Sequence, residues 1–167
     1  MKATATAATA EGRIRSSSAA TTRRIGRWLG RAAQPGTCLA LVGPLGAGKT
    51  QLAKGVARGL GVRNVVNSPT FIIVNEHVGR LPLFHVDAYR LTDADEARQA
   101  GVFDERQAEG VTVIEWAERL DGWLPPDHLR IEITADPSLP NLRFLRWRAT
   151  GPRHTDLSRV LEVSETP

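Results

Sequence analysis

Eight residues, Gly43-Pro44-Leu45-Gly46-Ala47-Gly48-Lys49-Thr50, fit the spacing G-x-x-x-x-G-K-[ST], and no other stretch restricts the fold as much. From the chain's own glycine, lysine, serine and threonine content, chance would give this pattern with a probability of roughly 0.3%. The flanks fit as well. Thr37 to Val42 (TCLALV) is an apolar run of strand length, of the kind covered on both faces in a parallel sheet. Lys49 to Leu60 carries Leu52, Ala53, Val56, Ala57 and Leu60 at helical spacing, with Gly61 as a stop. A strand, a glycine-rich bend and a helix in this order form a phosphate-binding loop. Gly46 and Gly48 let backbone amides approach phosphate oxygens without a Cβ in the way. The helix N-terminus adds unpaired N–H groups and partial positive charge. Lys49 brings an ammonium to the β- and γ-phosphates, and the Thr50 hydroxyl is placed to ligate Mg²⁺.

Such a loop needs a carboxylate for the metal and a group to orient the nucleophile. Two further apolar runs end in acids, Leu83–Asp87 (LFHVD) and Val111–Glu115 (VTVIE). The carboxyl ends of parallel strands line the ligand crevice of an open α/β sheet, which places both acids facing the loop. Glu115 is the better metal ligand and Asp87 the candidate for activating water. Between the loop helix and Leu83, Ser68-Pro69-Thr70-Phe71 reads either as a turn or as a switch in which Thr70 senses the γ-phosphate. His85, Arg90 and Trp116 flank the acids, and each has a plain core or surface reading beside a functional one.

The remaining chain is consistent with this core. Its 167 residues are 41% hydrophobic, too apolar for a disordered chain and long enough for one domain. One cysteine, Cys38, excludes an internal disulfide and a cysteine-built zinc site. With no membrane-length apolar run and no signal-peptide core, a cytoplasmic location is expected. The net charge of +4 is uneven: residues 1–35 hold seven bases and one acid, residues 36–167 fifteen bases and seventeen acids. A nucleic-acid-binding domain with a general basic face is therefore not expected.

Residues 1–18, rich in Ala, Thr and Ser, read as a disordered tail, and 152–167 as a flexible one, around a domain at 19–151. A helix capped near Thr21 or Thr22 carries Ile25, Trp28 and Leu29 on one side. His128–Thr134 alternates strictly and turns into a strand over Leu142–Thr150, an antiparallel hairpin expected at the sheet edge.

The segments GPLGAGKT, SPTF, HVDAYRL and IEWAERL, in this order and from about Thr22 to Gly151, resemble the TsaE (formerly YjeE) family of bacterial ATPases. The resemblance implies a P-loop NTPase-like α/β fold, a mostly parallel sheet flanked by helices, with ATP and Mg²⁺ as cofactors and slow hydrolysis. It further implies work beside TsaB and TsaD in the threonylcarbamoyladenosine modification of tRNA, with tRNA met only through that complex. Carried over by position, Leu45, Gly46, Ala47, Gly48, Lys49, Thr50 and Gln51 would hold the phosphates, and Thr50 with Glu115 the metal. Asp87 would be the hydrolytic residue, Thr70 the switch, and Thr22, Trp116 and Arg143 the surround of the nucleotide. Pro44 stands where the family loop has an acid, and local stiffening is expected there. A small-molecule kinase on the same loop is the alternative, though no arginine-rich lid pattern accompanies it. A guanine-nucleotide switch would need Asn/Thr-Lys-x-Asp, and none of Lys2, Lys49 and Lys54 is followed two residues later by Asp.

Overall fold

The computed structural model describes residues 8–64, 66–67 and 73–163. Among these residues seven strands, numbered in chain order from β1 (Thr9–Ser16), form one sheet in the order β1-β7-β6-β2-β5-β4-β3. Its centre is parallel: β2 (Thr37–Val42) lies between β5 (Val111–Glu115) and β6 (Leu129–Ala135), and β4 (Leu83–Asp87) follows β5. β3 (Val74–His77) joins β4 antiparallel, and β7 (Arg143–Thr150) joins β6 antiparallel.

The two faces have separate cores. Leu39 and Leu41 of β2 and Val111 and Val113 of β5 point into the larger one, with α1 (Ala19–Ala32), α2 (Lys49–Gly59) and α4 (Pro152–Glu162). Cys38, Ala40 and Ile114 point the other way, into a smaller core under α3 (Ala94–Gln99) and the short 3₁₀ turn Ala117–Leu120. The alternation of β6 has the same cause: Leu129, Ile131 and Ile133 enter the larger core, while the face of Arg130, Glu132 and Thr134 carries no helix layer among the described residues. Leu29, Leu39 and Ile131 are fully buried, each worth roughly 1.5–3 kcal/mol.

Both ends differ from expectation. Residues 9–16 are not a tail but a strand, β1 (Thr9–Ser16), paired antiparallel along its length with β7. An edge strand over a single core needs apolar contacts on one side only, and Ala10, Gly12, Ile14 and Ser16 supply that side. Gly12 leaves room for Trp147, whose ring would come within 2.6 Å of a Cβ there. The β6–β7 hairpin is therefore not the sheet edge, because β1 is. At the other end, residues 152–162 form α4, started by Gly151 and Pro152, with His154, Leu157, Ser158 and Leu161 buried. Two polar members hide its helical stripe from a hydrophobicity reading. The cap of α1 is Ser18 rather than Thr21 or Thr22, its hydroxyl accepting from Thr21 N at 3.1 Å. Among the described residues no helix is long and apolar enough to cross a membrane.

His154 ties α4 to the sheet by accepting from Cys38 N at 3.0 Å through Nε2. Burial, then Arg153 and His128 nearby, push its pKa from the ordinary 6.5 down to about 4. The unfolded chain therefore takes up a proton that the fold refuses, and stability falls as pH drops from 6.5 towards 4. Urea midpoints measured across this range should decline, and His154→Gln should remove about one proton from the dependence. An unaltered dependence in the variant would place the acid sensitivity elsewhere.

Candidate functional site

The loop from Gly43 to Gly48 joins β2 to α2 as expected. Gly46 and Gly48 adopt left-handed backbone, φ +78° and +111°, conformations that favour glycine. Gly48 caps α2 without any side-chain hydrogen bond, so the amides of the first turn open toward the loop. Lys49 opens the helix, 4% exposed. Its Nζ donates to the carbonyls of Gly43 and Pro44, the latter at 3.0 Å, and lies 3.8 Å from the centre of the Trp116 ring. Burial lowers the pKa of this amine, while the charges of Glu115, Glu118 and Asp87 act in the opposite direction.

Asp87 and Glu115 are register partners at the carboxyl ends of β4 and β5, and Leu41 of β2 pairs with Glu115 on its other side. Both acids are thereby delivered to the loop end of the sheet. Thr50 Oγ1 donates to Glu115 Oε2 at 2.9 Å. The other carboxylate oxygen lies 2.7 Å from His85 Nε2, in a pair where both side chains are buried. A carboxylate only accepts, so Nε2 carries the proton. Asp87 Oδ1 accepts from Tyr89 N at 3.0 Å, which fixes the carboxyl over the turn after β4.

Trp116 follows Glu115 in left-handed backbone at φ +59°, the single non-glycine with positive φ among the described residues. Such a conformation costs on the order of 1–3 kcal/mol and here turns the indole onto Lys49 and Tyr89, whose ring lies 4.9 Å away. Arg143, from the start of β7, reaches across to the loop and donates to Ala47 O at 3.0 Å and Pro140 O at 2.6 Å. Thr22 is buried, its hydroxyl 2.7 Å from that of Ser16, and its methyl lies 3.9 Å from where a Cβ on Gly48 would be. Gln51 accepts from Arg23 at 2.6 Å, and Leu45 at the loop tip is 89% exposed.

The structure thus gathers Lys49, Thr50, Asp87, Glu115, Trp116 and Arg143 about one loop, with Thr22 packed beneath it. Thr70 and its neighbours Ser68, Pro69 and Phe71 lie outside the described residues. Arg90 is exposed in the turn after β4. Two features escape the sequence reading. The contact of His85 with Glu115 is one; its signal is the two-residue spacing to Asp87, which puts both on one face of β4. Glu118 is the other, with a buried Oε2 that has no hydrogen-bond partner among the described residues.

Comparison with known proteins agrees with the motifs. The chain is 42% identical over 141 residues to the tRNA threonylcarbamoyladenosine biosynthesis protein TsaE of Bacillus subtilis (strain 168), spanning 84% of this chain and 87% of that protein. The protein of the same description from Streptomyces coelicolor is 41% identical over 114 residues, 66% of this chain and 77% of the relative. The crystal structure of YdiB from B. subtilis superposes with a TM-score of 0.75 at 32% identity, covering 95% of this chain and 99% of that one. Residues 16–141 match the family model described as threonylcarbamoyl adenosine biosynthesis protein TsaE, three quarters of the sequence with the whole loop and both acids inside it, and the chain belongs to the TsaE family.

Proposed function

We propose that this protein binds ATP with Mg²⁺, hydrolyses it slowly, and serves the threonylcarbamoyladenosine modification of tRNA alongside TsaB and TsaD. The observation that carries the reading is the 2.9 Å contact of Thr50 with Glu115 beside the buried Lys49. A hydroxyl and a carboxylate this close suit a small hard cation. Among the described residues no group of three or more His, Cys, Asp or Glu is arranged to hold a metal ion by itself, and Thr50 with Glu115 offers fewer oxygens than the six Mg²⁺ takes. Phosphate oxygens and water complete such a shell, which makes metal and nucleotide binding interdependent.

The roles follow from position. Lys49 exchanges its two carbonyl partners for phosphate oxygens, a charge-assisted contact stronger than the one it leaves. Thr50 and Glu115 hold the metal, and His85 fixes the rotamer of Glu115 by holding its second oxygen. When bound, Mg²⁺ supplies positive charge against the negative charge that develops on the transferred group. Asp87, across the strand pair from Glu115, orients a water and accepts its proton. Trp116 and Arg143 shape the loop from opposite sides.

Asp87→Ala should retain nucleotide binding, followed with a fluorescent ATP analogue, and lose hydrolysis by about tenfold or more. Turnover is to be read with and without TsaB and TsaD. Unchanged turnover in the variant would refute the role of Asp87. Stoichiometric phosphoryl transfer to a metabolite by the native protein would replace the ATPase with a kinase.

A further inference from the structure

α1 and α2 meet backbone to backbone. A Cβ added at Gly26, Gly30, Gly55 or Gly59 would collide with a carbonyl oxygen of the opposite helix, those of Leu52, Val56, Arg23 and Arg27 respectively. Drawing the axes together brings the long side chains of both helices to one groove of about 820 Å³. Arg23, Arg24 and Arg27 line it from α1, Lys54 and Arg58 from α2, and Arg63 from the segment after α2. Among the described residues no acid lines it, and neither helix contains one. Among the described residues none of the six cations is in an ion pair. They account for the entire positive balance of the chain, since the other 16 Lys and Arg face 18 acids.

We propose that this groove binds the sugar–phosphate backbone of RNA. The inference rests on the family's place in tRNA modification and not on ATP hydrolysis. Arg23 with Arg27, and Lys54 with Arg58, stand one helical turn apart, so each helix alone suffers like-charge repulsion that an external polyanion relieves. Arginine predominates, and its planar fork matches two phosphate oxygens at once. A protein partner would find little else here. Interfaces between proteins centre on apolar anchors, and the groove's Ala57, Val62 and Val66 are buried in the fold. Contacts made only to phosphate carry no sequence information, so binding is general for RNA shape and charge. The groove begins where Arg23 meets Gln51, in the first turn of the helix that starts with Lys49, so an RNA strand would lie along the helix that serves the nucleotide.

The test uses the full chain, without nucleotide, and a fluorescein-labelled unmodified tRNA transcript, followed by anisotropy over a salt series. With up to six phosphate contacts, the log–log slope against salt should approach about −4. Arg27→Glu and Arg58→Glu should each reduce its magnitude by about 1, and together weaken binding about tenfold or more. Both exchanges ease repulsion, and a thermal melt confirms that the variants fold. Arg146→Glu with Arg148→Glu, on the exposed face of β7, should leave RNA binding unchanged. Binding of the fluorescent ATP analogue by the same proteins tests the phosphate-loop reading separately and should not respond to any of these changes. Absence of tRNA binding at low salt, or native affinity in the Arg27 and Arg58 variants, would overturn the proposal. Equal capture of poly-L-glutamate would also overturn it and assign the groove to an acidic protein surface.

Discussion

Lys49→Ala should bind ATP at least about a hundredfold more weakly than the native chain, because charge-assisted hydrogen bonds contribute roughly 1.5–3 kcal/mol each and this amine can make two or more to phosphate. Dryness adds to the effect. Lys49 is 4% exposed, and its amine already lies within the field of Glu115, Glu118 and Asp87. Removing it leaves those acids facing the incoming triphosphate without the cation that offsets them, so the loss exceeds that of one contact. The substitution also takes away the ties from the side chain to the carbonyls of Gly43 and Pro44, which hold the loop in its present shape. Lys49→Met preserves the stem over Trp116 while deleting both the charge and the ties, so it separates these from the packing of the stem. Titration calorimetry on both variants should give the same deficit if charge dominates. An affinity within about threefold of native would remove Lys49 from the phosphate site.

Gly55→Ala should be the most destabilising single methyl in the molecule. The new Cβ would collide with the carbonyl oxygen of Arg23 and stand 2.9 Å from the Cα of Gly26, both backbone atoms that no rotamer change can move. Relief requires α2 to back away from α1, at an overpacking cost of about 3 kcal/mol. Alanine's better helix propensity returns up to about 1 kcal/mol, which does not reverse the sign. The melting temperature of a chain of this size should drop by roughly 4–12 °C. Gly122→Ala is the comparison: its φ is +88° but nothing lies within 4 Å, so only backbone strain of about 1 kcal/mol applies. Equal melting shifts for the two would show that helix contact at Gly55 is looser than described. Because α2 begins at Lys49, its displacement should also weaken nucleotide binding in the same sample.

These two sites differ in how openly the sequence announces them. β2, the loop, β4 and β5 are legible because continuous apolar runs ended by glycine or an acid have few other interpretations, and Leu83–Asp87 and Val111–Glu115 fall where the pattern puts them. The glycines of α1 and α2 read as mere interruptions, since their reason is the other helix, about thirty residues away. The basic groove is hidden for the same cause: Arg23, Arg24 and Arg27 belong to α1, whereas Lys54, Arg58 and Arg63 come from α2 and the segment after it. A running total of charge along the chain credits only the first three. β1 and α4 fail for lack of apolar content, which matters less where a strand or helix covers one face only. The spacing of His85 to Asp87 puts both on one face of β4, but the bond to Glu115 also needs the β4–β5 register, which no local pattern encodes.

The buried contact between Ser16 and Thr22 has a practical consequence. Ser16 ends the first strand, the methyl of Thr22 lies 3.9 Å from where a Cβ on Gly48 would be, and through them β1 is linked to the loop proposed to hold phosphate. A truncated version beginning at residue 19 would strip away that contact and bare the flank of β7 to sticky self-association. Expression vectors for this protein should therefore retain β1 together with the turn that joins it to α1.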